Sequence, residues 1–144
     1  MIAVDTNVLL RRLLNDDASQ AAKARRLFES EDSVLITDGV LAETIWTLKG
    51  KRYGVGREEL AAVVIGLLEE QNVVFESRQA VWSALNDYLD ASPVKTTSGM
   101  RIADLTDALV VNKARITAQR RNEQYGGTYT YDQAALALNG TKAP

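Results

Sequence analysis

The apolar and polar positions of the chain follow two periods, which predict short strands separated by amphipathic helices. Apolar runs of strand length occupy residues 2–5, 33–38, 72–77 and 126–132. Helical periodicity, with apolar residues three or four positions apart, covers residues 7–15, 17–32, 39–51, 57–71, 78–91 and 102–122. A short alanine-rich helix is expected after Asp132. The one long loop is expected over residues 92–100, which begin with a Ser-Pro pair.

The order of these elements predicts an α/β fold. Strands separated by helices must be joined by crossover connections, so we expect an α/β/α sandwich. Its central sheet should be mainly parallel, with four or five short strands. At 144 residues the chain fits a single domain covering residues 1–144. Ligands of such sheets bind beyond the carboxyl ends of the strands, where loops and helix N-termini meet.

Composition narrows the chemistry that this fold can carry. The sequence has no histidine and no cysteine, which excludes histidine-based triads, thiolate nucleophiles and zinc sites of the usual Cys/His kind. Carboxylates remain as acid–base groups or metal ligands, so any metal should be a hard, oxygen-binding ion. No signal peptide follows Met1 and no apolar run reaches membrane-spanning length, so a cytoplasmic protein is expected.

Two aspartates follow the outer predicted strands. Asp5 comes after the first strand and Asp132 after the last, and the carboxyl ends of parallel strands lie at one edge of a sheet. Either residue could instead be the N-cap of the helix that follows it, because an aspartate side chain accepts hydrogen bonds from the first helical turn. Asp38 is more simply assigned as the N-cap of the helix over residues 39–51.

Three further acids lie within helical patterns. Helical spacing places Glu43 on the same face as Val40 and Trp46, so its carboxylate is expected among apolar residues. There it must be paired with an arginine or bound to a metal. Asp104 and Asp107 are three residues apart on one face of another helix. Helix capping suits Asp104, whereas Asp107 lies deeper in the apolar stretch and is the stronger site candidate.

The net charge of −2 conceals two basic stretches, over residues 11–26 and 113–121. An acidic site with basic neighbours suits a polyanion. The same arginines could equally be the solvated faces of amphipathic helices. The candidates for contacts with a phosphate backbone are Arg11, Arg12, Arg25, Arg26 and Arg115.

Four segments in chain order, MIAVDTNVLLRRLL, LAETIWTL, DLTDALV and TYTYD, together resemble the PIN-domain ribonucleases, in particular the VapC-type toxins of toxin–antitoxin pairs. The resemblance implies a PIN-like α/β/α fold and a Mg²⁺- or Mn²⁺-dependent enzyme that hydrolyses RNA phosphodiester bonds. The metal ligands that it implies are Asp5, Glu43, Asp107 and Asp132. It also implies that Thr6 and Thr130 order this site through hydroxyl hydrogen bonds and that Asn7 braces the first loop.

The resemblance implies a reaction and two protein partners. A bound metal would activate a water and neutralise charge on the phosphate, and Asp104 would orient or deprotonate the attacking water. A VapB-type antitoxin would occupy the acidic groove, and a second copy of the chain would complete a homodimer.

Two features depart from the family pattern, and two other functions stay open. Residues 92–100 form a longer approach to the DLTDAL helix, and residues 133–144 contain no evident final strand. The chain could be a metal-dependent DNA nuclease of the same fold, or a non-catalytic nucleic-acid-binding module whose acids only cap helices. An aspartyl-phosphate enzyme is disfavoured, because Asn7 stands where enzymes resembling haloacid dehalogenases place a second aspartate.

Overall fold

The computed structural model describes residues 1–144, and the chain divides into two compact units, Met1–Arg78 and Gln79–Pro144. The first unit contains β1 (Ile2–Ala3), α1 (Thr6–Leu13), α2 (Ala18–Ser30), β2 (Val34–Ile36), α3 (Asp38–Lys49), α4 (Arg57–Glu69) and β3 (Val73–Phe75). After α5 (Arg78–Asp90), which begins at the boundary, the second contains β4 (Val94–Thr96), β5 (Gly99–Arg101), α6 (Leu105–Arg120), β6 (Thr128–Tyr129), a 3-10 turn (Ala135–Ala137) and β7 (Thr141–Lys142). No helix among them is both long and apolar enough to span a bilayer.

The sheet of the first unit confirms the predicted α/β class and its parallel arrangement. β1, β2 and β3 lie in that order and are parallel, with Val34 paired with Ile2 on one side and with Val73 on the other. Each connection passes through two helices, which provides the crossover that a parallel pair needs. Val34 and Ile36 are 0% exposed, as expected for the middle strand of a covered parallel sheet.

The number of strands in this sheet is smaller than predicted. It has three strands, not four or five, because β6 pairs with β7 in a separate parallel pair. The tyrosines that gave residues 126–132 the composition of a strand lie in solvent, with Tyr129 63% exposed and Tyr131 87% exposed. Such a segment has no apolar face to bury, which explains why only two of its residues are strand.

Polar segments form strands that the apolar pattern does not show. The loop predicted over residues 92–100 contains the antiparallel hairpin of β4 and β5, in which Thr96 pairs with Gly99. The chain does have a short final strand, β7, held by main-chain hydrogen bonds such as the one from Thr130 N to Lys142 O at 2.9 Å. The alanine-rich helix expected after Asp132 is reduced to the 3-10 turn.

Side-chain caps set the first residues of three helices in the first unit. Asp5 and Asp17 each accept a hydrogen bond of 2.9 Å from the N–H three residues later, at the starts of α1 and α2. Thr37 does the same for α3 through its hydroxyl, at 3.3 Å. The prediction that Asp38 caps α3 is wrong by one position, because both residue types can cap and Asp38 is the first helical residue.

Candidate functional site

In the first unit, Glu43 lies next to Thr6, the residue that follows Asp5. β1 ends at Ala3, and Asp5 is the exposed N-cap of α1. Thr6 is 8% exposed, and its hydroxyl donates a hydrogen bond of 2.9 Å to Oε2 of Glu43, in the middle of α3. The carboxyl end of β1 and the exposed face of α3 therefore meet at Thr6, which follows Asp5 in the chain and contacts Glu43.

The environment of Glu43 differs from the prediction. The buried side of α3 consists of Leu41, Thr44, Ile45 and Leu48. Glu43 itself is exposed, and Trp46, which suggested an apolar face, is 73% exposed. The prediction of a buried glutamate is wrong because the tryptophan that indicated burial lies in solvent. Glu43 consequently bears little desolvation cost, and its carboxylate is accessible to a cation.

A polar cavity of about 180 Å³ lies beside this hydrogen bond. Its lining consists of Thr6, Asn7, Leu10, Arg11, Glu43, Thr47, Arg52 and Tyr53. Asn7 thus lies at the cavity, next to the loop that it was expected to brace. Thr47 donates its hydroxyl hydrogen bond to the main-chain oxygen of Glu43 at 2.8 Å, so this threonine contacts the backbone and not the carboxylate.

Arg11 is held at the cavity by a network that the sequence did not indicate. Its guanidinium contacts both carboxylate oxygens of Asp16 at 2.9 Å and Oε1 of Gln20 at 2.7 Å. The hydrogen bonds from Arg11 hold the pKa of Asp16 below its usual value, and the same contact raises the pKa of Arg11. Asp16, Arg52 and Tyr53 lie in turns, where helical spacing gives no signal of neighbours.

In the second unit, Asp104 and Asp107 lie at the start of α6. Asp104 is the N-cap residue, as the sequence favoured, but its side chain makes no cap hydrogen bond. Asp107 lies in the first turn, and both residues are partly buried. The two are three residues apart in the sequence, but Asp104 has an extended backbone and precedes the first helical residue, Leu105.

Asp132 has protein partners for both of its carboxylate oxygens. Oδ1 accepts a hydrogen bond from the Ala135 N–H at 2.9 Å, and Oδ2 lies 3.2 Å from the guanidinium of Arg101. The Ala135 hydrogen bond is the main cause that lowers the pKa of Asp132, and Arg101 contributes. Thr130 accepts a hydrogen bond from the Asp132 N–H at 3.0 Å, which orders this turn. Asp132 thus accepts a hydrogen bond from the first residue of the 3-10 turn, whereas the N-cap position of that turn is occupied by Ala134.

The five arginines predicted to contact a phosphate backbone fall into two groups. Arg12 and Arg115 have extensive internal contacts, Arg12 with Glu70 and across the Phe28 ring, and Arg115 with the main-chain oxygen of Asn139 at 2.8 Å. Arg11 also has internal partners but lies at the cavity. The remaining two, Arg25 and Arg26, are exposed on α2.

The donor set fits a hard divalent cation by its chemistry, since every candidate ligand is a carboxylate. Asp5 and Glu43 are exposed, and each has one oxygen engaged in a hydrogen bond described above. Asp132 fits less well, because a cation would have to replace Arg101. Within either unit, no three acidic side chains are grouped as ligands of one metal ion. Each unit supplies two of the four candidates.

Comparison with known families matches residues 2–120 to the family described as PIN domain. The matched span begins in β1 and ends with α6. It contains Asp5, Glu43 and Asp107, whereas Asp132 lies beyond it. No curated protein matched the sequence.

Proposed function

The chain belongs to the PIN domain family, and on that premise we propose that it is a metal-dependent endoribonuclease, the toxin of a VapBC-type toxin–antitoxin pair. PIN domains are generally metal-dependent nucleases, so hydrolysis of phosphodiester bonds follows from membership. The observation that carries the proposal is the hydrogen bond from Thr6 to Glu43 beside Asp5. This contact supports the proposal, because it lies beyond the carboxyl end of a parallel strand, where ligands of such sheets bind.

We assign Asp5, Glu43, Asp107 and Asp132 as the ligands of Mg²⁺ or Mn²⁺. The absence of histidine and cysteine supports an oxygen-binding ion. When bound, the ion supplies a water of lowered pKa and neutralises negative charge on the phosphate. Asp132 is the weakest of the four ligands, because Arg101 already holds its Oδ2.

The residues around the ligands set their orientation. The Thr6 hydroxyl donates a hydrogen bond to Oε2 of Glu43 and so orients the carboxylate that would bind the cation. The N-cap hydrogen bond from the Val8 N–H engages Oδ1 of Asp5, and it orients the carboxylate in the same way. We assign to Asp104, at the start of α6, the role of orienting the attacking water and accepting its proton.

The choice of RNA, and the two protein partners, rest on resemblance and charge. The four segments that resemble VapC-type toxins support a ribonuclease, and the exposed Arg25 and Arg26 on α2 support a polyanionic substrate. The proposed antitoxin of the VapB type places a basic side chain against the carboxylates. The proposed functional form is a homodimer.

Cleavage of RNA by Asp5→Asn and Asp17→Asn variants tests the proposal. The two aspartates cap consecutive helices with hydrogen bonds of the same length, 2.9 Å, and asparagine keeps that role. Asp5→Asn should lose about 100-fold or more of the Mg²⁺-dependent activity, since even an outer-shell change costs 10- to 100-fold. Asp17→Asn should retain full activity.

Equal activity of the two variants would remove Asp5 from the site and refute the assignment. The same assay with DNA of identical sequence decides whether the chain is a ribonuclease or a DNA nuclease. Faster cleavage of DNA would favour the alternative of a DNA nuclease and contradict the ribonuclease.

A further inference from the structure

A cluster of four residues, Arg11, Asp16, Arg52 and Tyr53, lies beside the cavity that Glu43 lines; we call it the arginine cluster. Asp16 is its centre. Its carboxylate accepts the two close contacts from Arg11, a hydrogen bond from the Tyr53 hydroxyl at 3.4 Å and a long ion pair with Arg52 at 3.9 Å. The loop between α1 and α2 is thereby joined to the turn after α3.

The two arginines are held with different strength. Arg11 is fixed by Asp16 and by Gln20, with its side chain 30% exposed. Arg52 is 74% exposed, and it contacts Asp16 through the long ion pair and the Tyr53 ring, whose centre lies 5.1 Å from its guanidinium carbon. An exposed ion pair of that length contributes little free energy, so Arg52 can exchange Asp16 for another anion without a large cost.

The charge of the cluster favours an anion. Two guanidinium groups share the carboxylate of Asp16, so the cluster itself carries one net positive charge, and Glu43 is the acid that lines the same cavity. A guanidinium presents parallel N–H donors that match the oxygens of a phosphate. The Tyr53 ring beneath Arg52 restricts the orientation of that group and lowers the entropy lost when it binds.

We propose that Arg52, assisted by Arg11, binds a phosphate that flanks the scissile phosphate of the substrate. The proposal rests on the proposed nuclease function, since it takes Glu43 to mark the scissile position. Arg52 and Glu43 line one cavity of about 180 Å³, so a strand with one phosphate at Glu43 presents its neighbour to Arg52. Asp16 holds both arginines at the cavity until the polyanion arrives. The subsite makes an oligonucleotide a better substrate than a dinucleotide.

Equilibrium binding of a fluorescein-labelled single-stranded RNA of about 12 nucleotides, measured in EDTA, tests the subsite. Arg52→Ala is compared with Lys51→Ala, which removes the same charge from the adjacent exposed residue. We expect Arg52→Ala to raise Kd about tenfold at low salt and to reduce the slope of log Kd against log salt by about 0.7. Lys51→Ala should change Kd less than about twofold. Equal effects of the two variants would show only general electrostatic attraction and would overturn the proposal.

The Arg52→Lys variant tests the paired N–H donors of arginine separately from its positive charge. Lysine keeps the positive charge, so the salt slope should stay as in the unmodified protein, whereas Kd should rise because two parallel hydrogen bonds are lost. An unchanged Kd in Arg52→Lys would contradict the binding of a phosphate by two parallel N–H donors of Arg52.

The kinetics of RNA cleavage then test the Arg52 subsite and the nuclease assignment separately. Arg52→Ala should raise KM and leave kcat unchanged, because the contact is equally present in the ground state and the transition state. A fall in kcat with an unchanged KM would contradict a binding subsite. If Asp5→Asn abolishes cleavage and Arg52→Ala behaves as Lys51→Ala, only the subsite fails. If Asp5→Asn cleaves normally, the nuclease assignment fails whatever Arg52 does.

Discussion

Replacement of Thr6 by valine removes the one hydroxyl that orients Glu43, with almost no change in side-chain volume. Thr6 is 8% exposed and its hydrogen bond to Glu43 is 2.9 Å long. Hydrogen bonds to charged groups contribute about 1.5–3 kcal/mol, and the exposure of Glu43 places this one near the lower limit. We expect a loss of about 1.5 kcal/mol in the free energy of unfolding, which lowers Tm by about 3–6 °C.

The effect on metal binding should be larger than the effect on stability. Without Thr6, the Glu43 carboxylate rotates among several orientations, and outer-shell losses of this kind reduce metal affinity about 10- to 100-fold. Titration calorimetry with Mn²⁺ measures the affinity directly, and thermal unfolding in EDTA measures the stability. Both measurements are independent of any RNA substrate.

Thr47→Val is the matched control for this prediction. Thr47 lines the same cavity and donates to the main-chain oxygen of Glu43 at 2.8 Å, so its hydroxyl has no contact with the carboxylate. Its replacement should leave Mn²⁺ affinity within about twofold of the unmodified protein, since only outer-shell contacts to a ligand carry the larger effect. If Thr6→Val binds Mn²⁺ normally, or if Thr47→Val loses as much affinity, the reasoning about Glu43 is refuted.

Two further predictions concern residues whose contacts are internal. Asp132→Ala should destabilise the protein at neutral pH and have a smaller effect in acid. The pKa of Asp132 is lowered in the folded protein, so its stabilisation is present above the unfolded-state pKa of about 3.9 and is lost as pH falls through the lower folded-state value. Urea unfolding at a series of pH values measures this, and a pH-independent difference would contradict it. Arg12→Ala should cost about 1–3 kcal/mol of stability, because it breaks a partly buried ion pair, and should leave the salt slope of RNA binding unchanged. A reduced salt slope with unchanged stability would instead assign Arg12 to the substrate.

The elements of the fold could be predicted because apolar periodicity and burial agree in them. The apolar residues at 34–36 and 73–75 are the middle and outer strands of the sheet. Six of the seven predicted helices are present, with ends that differ by a few residues, and the seventh, after Asp132, is only a 3-10 turn. The helix predicted over residues 102–122 is shorter at both ends, Leu105–Arg120, because its first residues are extended and Asp104 is the N-cap.

The remaining parts of the fold depend on main-chain pairing, for which side chains give no signal. The hairpin of β4 and β5 and the final strand β7 consist of polar or small residues. Gly99 begins β5 with φ of +104°, a conformation that glycine adopts readily and other residues rarely.

The environments of the candidate site residues could not be predicted from the sequence. Glu43 was expected on a buried face because Trp46 is apolar, yet residue type alone does not determine which side of a helix meets the core. The contacts of Asp132 with Arg101 and of Arg11 with Asp16 join residues from different turns and strands. Contacts of that kind follow from the folded geometry and not from spacing along the chain.

A crystal structure with Mn²⁺, in which the ion is located by its anomalous scattering, tests the central claim most directly. The account predicts a peak about 2.0–2.2 Å from carboxylate oxygens of both Asp5 and Glu43, a distance typical of small divalent cations with oxygen ligands. Thr6 should retain its hydrogen bond to Oε2 of Glu43 in that structure. A peak that contacts neither Asp5 nor Glu43 would contradict the account.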